Sequence, residues 1–161
     1  MPILDFKVFA EALPSRGALI GIDPGSVTIG IAVSDATRTI ASPASSLKRL
    51  KMAEDGAALF AIFEDRQACG FVVGHPLNMD GSKGPSSQSA RAFARNLVAI
   101  NDVPLLMWDE RLSTAAVLRQ MISADMTRAK RAKTVDAAAA SYMLQGLLDR
   151  LHNDAPQLPS L

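Results

Sequence analysis

The chain holds little of what redox, zinc or membrane chemistry requires. Its 161 residues include one cysteine and two histidines. A lone Cys69 excludes an intramolecular disulfide, and no His or Cys cluster is evident that would compete for zinc. Cys69 precedes the apolar run Phe71-Val72-Val73, so it reads as a buried core thiol in a reducing compartment. Neither His75 nor His152 is placed to activate it as a nucleophile. No segment approaches the roughly 18 apolar residues of a membrane span. Near the start, Asp5, Lys7 and Glu11 interrupt any signal-peptide core. A cytoplasmic protein with no membrane partner is expected. The net charge is only +1, too small for a global field that would gather nucleic acid.

What is present suits one compact domain. Hydrophobic residues make up 48% and charged residues 20%, enough to bury a core without staples. Residues 1–17 read as an amphipathic lead-in, with Leu4, Val8, Phe9 and Leu13 sharing a helical face on the outside of the domain. Residues 18–152 form the domain and 153–161 a flexible tail. Leu19 to Ile22 and Ile29 to Val33 read as a buried hairpin around the turn Pro24-Gly25-Ser26. Thr39-Ile40-Ala41-Ser42 supplies a third strand stopping at Pro43. A helix over about 51–67 and the buried strand Gly70-Phe71-Val72-Val73-Gly74 come next. A helix capped by Ser86 or Ser87 reaches about Ile100, and Val103 to Trp108 forms another strand. Helices then start near Ser113 and, for the last, at Thr134. The order predicts an α/β fold with a mixed five-stranded sheet, an antiparallel meander plus parallel strands, flanked by helices.

Acidic residues stand at the ends of these elements. Asp23 closes the first strand, Asp109 and Glu110 follow the last, and Asp136 falls in the first turn of the final helix. In this strand order they can converge. Carboxylates that close would repel each other unless a cation lay between them, and an all-oxygen donor set suits Mg²⁺ or Mn²⁺. Two such ions can cleave phosphodiesters. Each acid also has a structural explanation: Asp136 complements a helix N-terminus, Asp23 forms a turn, and only one of Asp109 and Glu110 can face a shared site.

Four ordered segments resemble one family, the YqgF/RuvX proteins of the RuvC-like branch of the ribonuclease H-like superfamily. They are Gly21-Ile22-Asp23-Pro24-Gly25 with Ile29-Gly30-Ile31-Ala32-Val33-Ser34-Asp35; Val73-Gly74-His75-Pro76-Leu77-Asn78-Met79-Asp80-Gly81-Ser82; Trp108-Asp109-Glu110-Arg111-Leu112-Ser113-Thr114; and Lys130-Arg131-Ala132-Lys133-Thr134-Val135-Asp136-Ala137-Ala138-Ala139. The resemblance spans about Leu19 to Leu151. It implies a ribonuclease H-like fold and a nuclease that processes the 5′ end of precursor 16S ribosomal RNA, with ribosomal particles as further partners. It also implies a catalytic, metal-binding triad of Asp23, Glu110 and Asp136 that holds Mg²⁺ or Mn²⁺, as two ions. The choice of Glu110 over Asp109 comes from the resemblance alone. The sequence departs from the family in Ser26-Val27-Thr28, where a basic residue is often found, and in His75, where an apolar residue is common. That histidine could touch phosphate or pack a loop.

Cations beside the acids are the expected substrate contacts: Arg111, and Arg128, Lys130, Arg131 and Lys133 leading into Asp136, with Asn78 from the second segment. Arg91 and Arg95 share a helix face but are weaker candidates. Alternatives are a Holliday-junction-type DNA resolvase, a non-catalytic RNA-binding or ribosome-assembly module, and an actin-like ATP-binding enzyme, which the single-domain length disfavours.

Overall fold

The computed structural model describes residues 3–25, 27–75, 84–109 and 128–153. Along the chain run α1 (Phe6–Ala12), β1 (Ala18–Pro24), β2 (Thr28–Ser34), β3 (Ala41–Lys48), α2 (Met52–Asp65), β4 (Ala68–His75), α3 (Pro85–Ile100), β5 (Leu105–Asp109) and α4 (Arg128–Asn153). The five strands form one sheet in the order β3-β2-β1-β4-β5. β1 pairs antiparallel with β2 and parallel with β4, and β5 continues the sheet parallel to β4. The expected meander with two parallel additions is therefore present.

The pleat divides the core in two. Leu19, Val72, Leu106 and Trp108 face α4, which packs Ala139, Ala140, Met143, Leu144, Leu147 and Leu148 against them. Those helix residues recur as i, i+4 doublets, the spacing of one continuous apolar stripe. Ile20, Ile22, Phe71, Val73 and Leu105 face the other way, onto Leu59 of α2 and Phe93, Ala94 and Leu97 of α3. Each large side chain removed from water contributes about 1.5–3 kcal/mol before chain entropy is subtracted. Central β1 is covered on both faces, hence its unbroken apolar run.

Several boundaries differ from the sequence expectation. β3 does not stop at Pro43; it runs on to Lys48, with Pro43 opposite Ala32 at a register shift. Because β3 is an edge strand, the missing proline N–H deprives no neighbour. The buried face of the lead-in differs from the expected one. Phe9 is fully buried and Val8 is exposed. Leu4 instead bridges to Leu106, its N–H donating to the Leu105 carbonyl at 2.9 Å. α3 starts at Pro85 with Gly84 as its N-cap, since proline is well tolerated in a first turn; Ser87 is not the cap. α4 begins six residues before Thr134, at Arg128, because Ala, Lys and Arg over 128–133 are good helix formers. The helix expected near Ser113 and the tail from residue 154 lie outside the described residues.

At the amino end of β1 the chain is tied by polar contacts. Asp35 accepts hydrogen bonds from the Thr39 and Ile40 amides at 2.8 and 2.9 Å and from the Thr37 hydroxyl. These donors, the Ile40 amide foremost, hold its carboxyl well below the usual carboxylate range. Arg38, at φ 57°, donates to the Gly17 and Pro14 carbonyls at 2.9 and 2.6 Å. Cys69 is half-buried rather than buried; its thiol reaches the Ala18 carbonyl at 3.4 Å, and desolvation raises its pKa. Among the described residues no helix is long and apolar enough to cross a membrane.

Candidate functional site

The carboxyl ends of β1, β4 and β5 lie side by side. Ile22 is level with Val73, Val73 with Met107, and His75 with Asp109. Asp23 is the next residue along β1, opposite Gly30 of β2, and its residue is only 9% exposed. By the pleat it shares the α4 face with Leu19 and Gly21. A carboxylate is thus carried on the central strand, at the edge of the core.

The turn that follows is sterically closed. Gly25 donates to the Thr28 carbonyl at 2.9 Å, and a Cβ on Gly25 would lie 2.5 Å from that oxygen. Only glycine fits there. Cation density is supplied from elsewhere in the sequence. Arg49, just past β3, donates through Nη1 to the Gly25 carbonyl at 2.8 Å, and its guanidinium lies 5.4 Å from the Phe93 ring centroid. Its own N–H bonds to the Val27 carbonyl at 2.8 Å. Sequence reading passed over this residue, although Lys48-Arg49-Leu50-Lys51 places three cations within four positions.

Gly21 fixes where α4 runs. A Cβ there would stand 3.0 Å from Leu144 Cβ and 3.3 Å from the Ala140 carbonyl oxygen. Gln145 bonds to the Ala41 amide and the Thr39 carbonyl, and His152 to the Arg38 carbonyl, so the helix carboxyl end lies over the amino end of β1. α4 therefore runs antiparallel to β1. Two strand residues span about 6.6 Å and one helical turn about 5.4 Å. Moving from Gly21 to Asp23 thus corresponds to moving from Ala140 back to position 136, whose main chain lies in α4. Asp136 follows Arg128, the first residue of the helix, by two turns. It is not in the first turn as the sequence suggested, and the helix-terminus explanation of that acid no longer applies.

The other candidates fall unevenly. Arg128, Lys130, Arg131 and Lys133 have their main chain in the opening turns of α4, not in a loop. Glu110, Arg111 and Asn78 lie outside the described residues. Asp109 ends β5, and the pleat that turns Trp108 toward α4 turns it toward the α3 face. His75 likewise faces α3, where its Nε2 meets the Ser87 hydroxyl at 2.5 Å. Ser87 is fully buried, so the histidine stands on the opposite face of the sheet from Asp23. Among the described residues no three His, Cys, Asp or Glu side chains gather as a metal site; of the three acids, Asp23 alone has its side chain in that set. A cavity of about 760 Å³ lined by Phe6, Leu13, Arg38 and His152 lies at the other end of the sheet, away from these groups.

A family model described as RuvX, Holliday junction resolvase, matches residues 17–150. A Rhodospirillum rubrum protein named "Putative pre-16S rRNA nuclease" is 52% identical over 158 residues, covering 98% of each chain. A Bradyrhizobium protein of the same name is 53% identical over 150 residues, covering 93% of each. In fold, the chain is similar to Thermus thermophilus RuvC bound to a Holliday junction substrate, with a TM-score of 0.53 at 12% identity over 84% of this chain and 96% of that one. The yeast mitochondrial Holliday junction resolvase Ydc2 gives 0.51 at 12% identity, covering 92% and 86%.

Proposed function

The chain belongs to the RuvX family, and on that premise we propose that it is a divalent-metal-dependent nuclease that hydrolyses phosphodiester bonds in RNA. Its substrate is the precursor of 16S ribosomal RNA, trimmed at the 5′ end in the cytoplasm, free or within ribosomal particles. The names of relatives at 52–53% identity support the substrate class. What supports the site is the close packing of α4 on Gly21, two residues before Asp23, with the main chain of position 136 one helical turn before Ala140. Glu110 is taken as the third acid from the family motif Trp108-Asp109-Glu110-Arg111.

Asp23, Glu110 and Asp136 are the metal ligands in this reading. All are carboxylates, the hard oxygen donors that suit Mg²⁺ or Mn²⁺. A pair of such ions supplies an activated water and neutralises charge on the leaving oxygen. The chain's own part is to bring three like charges together and to place cations around them. Arg111, Arg128, Lys130, Arg131, Lys133 and Asn78 are assigned to the phosphate backbone, where contacts position the substrate without selecting its sequence.

The test is cleavage of a precursor 16S RNA fragment with Mg²⁺, Mn²⁺ or EDTA. Asp23→Asn, Glu110→Gln and Asp136→Asn should each abolish metal-dependent cleavage while the melting temperature is maintained. Equal activity in the wild type and all three variants would overturn the assignment. The family description and the RuvC-like fold favour one second reading, resolution of four-way DNA junctions. Preferential cleavage of a synthetic junction over the RNA, by the same acids, would replace the first reading with it.

A further inference from the structure

We propose that Arg49 is a substrate-positioning residue that holds the phosphate neighbouring the one cleaved at Asp23; this rests on the nucleic-acid reading above. The turn after Asp23 has no cation of its own, since Val27 and Thr28 follow Gly25 and Ser26. Arg49 takes that place from 24 residues away. Its Nη1 is fixed on the Gly25 carbonyl at 2.8 Å, and its guanidinium is packed on Phe93. Gly25 Cα can lie no more than about 7.6 Å from Asp23 Cα, two trans peptide steps away. The charge is therefore tied to the turn that follows the carboxylate, reaching it from the α3 side of the sheet.

The contacts hold the guanidinium but do not neutralise it. Among the described residues its side-chain partners are a carbonyl and an aromatic face. A guanidinium has five N–H donors in a planar fork. Only one is used by Gly25, leaving donors for phosphate oxygens, a geometry that arginine meets better than lysine. Anchoring also lowers the rotamer entropy that a free surface arginine would lose on binding. Asp55, the buried acid nearby in sequence, is engaged with the Leu50 amide at 3.0 Å rather than with Arg49. Lys48 and Lys51 are exposed on either side, which extends the positive edge along the strand ends.

A structural clamp and a phosphate contact separate by charge. Arg49→Gln keeps a side-chain donor but carries no charge; Arg49→Lys keeps charge without the fork. Each is made in the Asp23→Asn background, and binding of a fluorescein-labelled single-stranded RNA is followed by anisotropy from 50 to 200 mM KCl. Arg49→Gln should weaken binding several-fold and flatten the slope of log affinity against log salt by about 0.7, the loss of one single-strand phosphate contact. Arg49→Lys should keep the slope. In the otherwise wild-type enzyme Arg49→Gln should raise KM more than it lowers kcat, with an unchanged melting temperature.

An unaltered slope and KM in Arg49→Gln, in a protein that binds and cleaves RNA, would overturn the assignment of Arg49 alone. A flattened slope without metal-dependent cleavage would uphold Arg49 and overturn the nuclease reading. Failure of the parent to bind RNA or DNA would overturn both.

Discussion

Replacing Gly21 with alanine tests whether α4 is held at a fixed distance from β1. The added Cβ meets Leu144 Cβ at 3.0 Å, the Ala140 carbonyl at 3.3 Å and Leu144 Cδ2 at 3.4 Å. The first two belong to atoms fixed to the helix main chain, so a rotamer change cannot relieve them. α4 must move as a body by a few tenths of an ångström. Overpacking of this kind costs about 1–3 kcal/mol, while removing a strand glycine returns about 0.5–1 kcal/mol. The net loss is about 1.5 kcal/mol, which lowers the melting temperature by about 3–6 °C in a chain of this length. Ligand distances at a metal centre tolerate only about 0.2 Å, so the same shift should raise the Mg²⁺ concentration for half-maximal cleavage by about tenfold. Thermal melts and a metal titration measure both effects. Gly56→Ala is the control: its Cβ would meet Ile100 Cδ1 at 2.3 Å, but Ile100 is 49% exposed and that methyl group can swing away. Relieved of a helix glycine worth about 0.8–1 kcal/mol, that variant should melt higher. A Gly21→Ala protein that also melts higher and titrates Mg²⁺ like the wild type would refute the reasoning.

Phe9→Ala should cost about 3–5 kcal/mol, the usual loss for a buried phenylalanine, and a urea melt showing less than 1 kcal/mol would mean that α1 is not integral to the core. Asp35→Asn should lower the melting temperature at neutral pH. The folded carboxyl titrates below its unfolded value of about 3.9, so its contribution is complete above that value and is lost as pH falls toward the folded pKa. The difference between wild type and Asp35→Asn should therefore shrink below about pH 4. A difference independent of pH would rule out the amide contacts of Thr39 and Ile40 as its cause.

The central parts of the fold were legible because β1, β4 and β5 are covered on both faces, and continuous apolar runs such as Phe71-Val72-Val73 have few other solutions. Their ends were less so. Pro43 breaks a strand only where its N–H is needed, and an edge position supplied the exception. Thr134 has the chemistry of a cap, yet Ala129 and Ala132 among lysines and arginines continue a helix past it. Asp23 could be singled out as an acid where an apolar strand meets a turn, but its relation to position 136 depends on how closely Gly21 admits α4. Arg49 escaped because its contact joins two segments 24 residues apart; no local spacing encodes that. His75 could not be assigned to a face until the register with Asp109 and the Ser87 contact were known.

Both margins of the sheet are guarded against a further strand. At one, Leu4 occupies the free side of β5 through its bridge to Leu106. At the other, Pro43 interrupts the donor row of β3, while α4 side chains bond to both polar groups of Ala41: Gln145 to its amide and Ser141 to its carbonyl. A sixth strand from another copy would find hydrogen-bonding positions at Leu106, Ala41 and Pro43 taken or missing. The molecule is thereby protected from sideways growth at these points, which leaves the carboxyl ends of β1, β4 and β5 unobstructed by strand exchange.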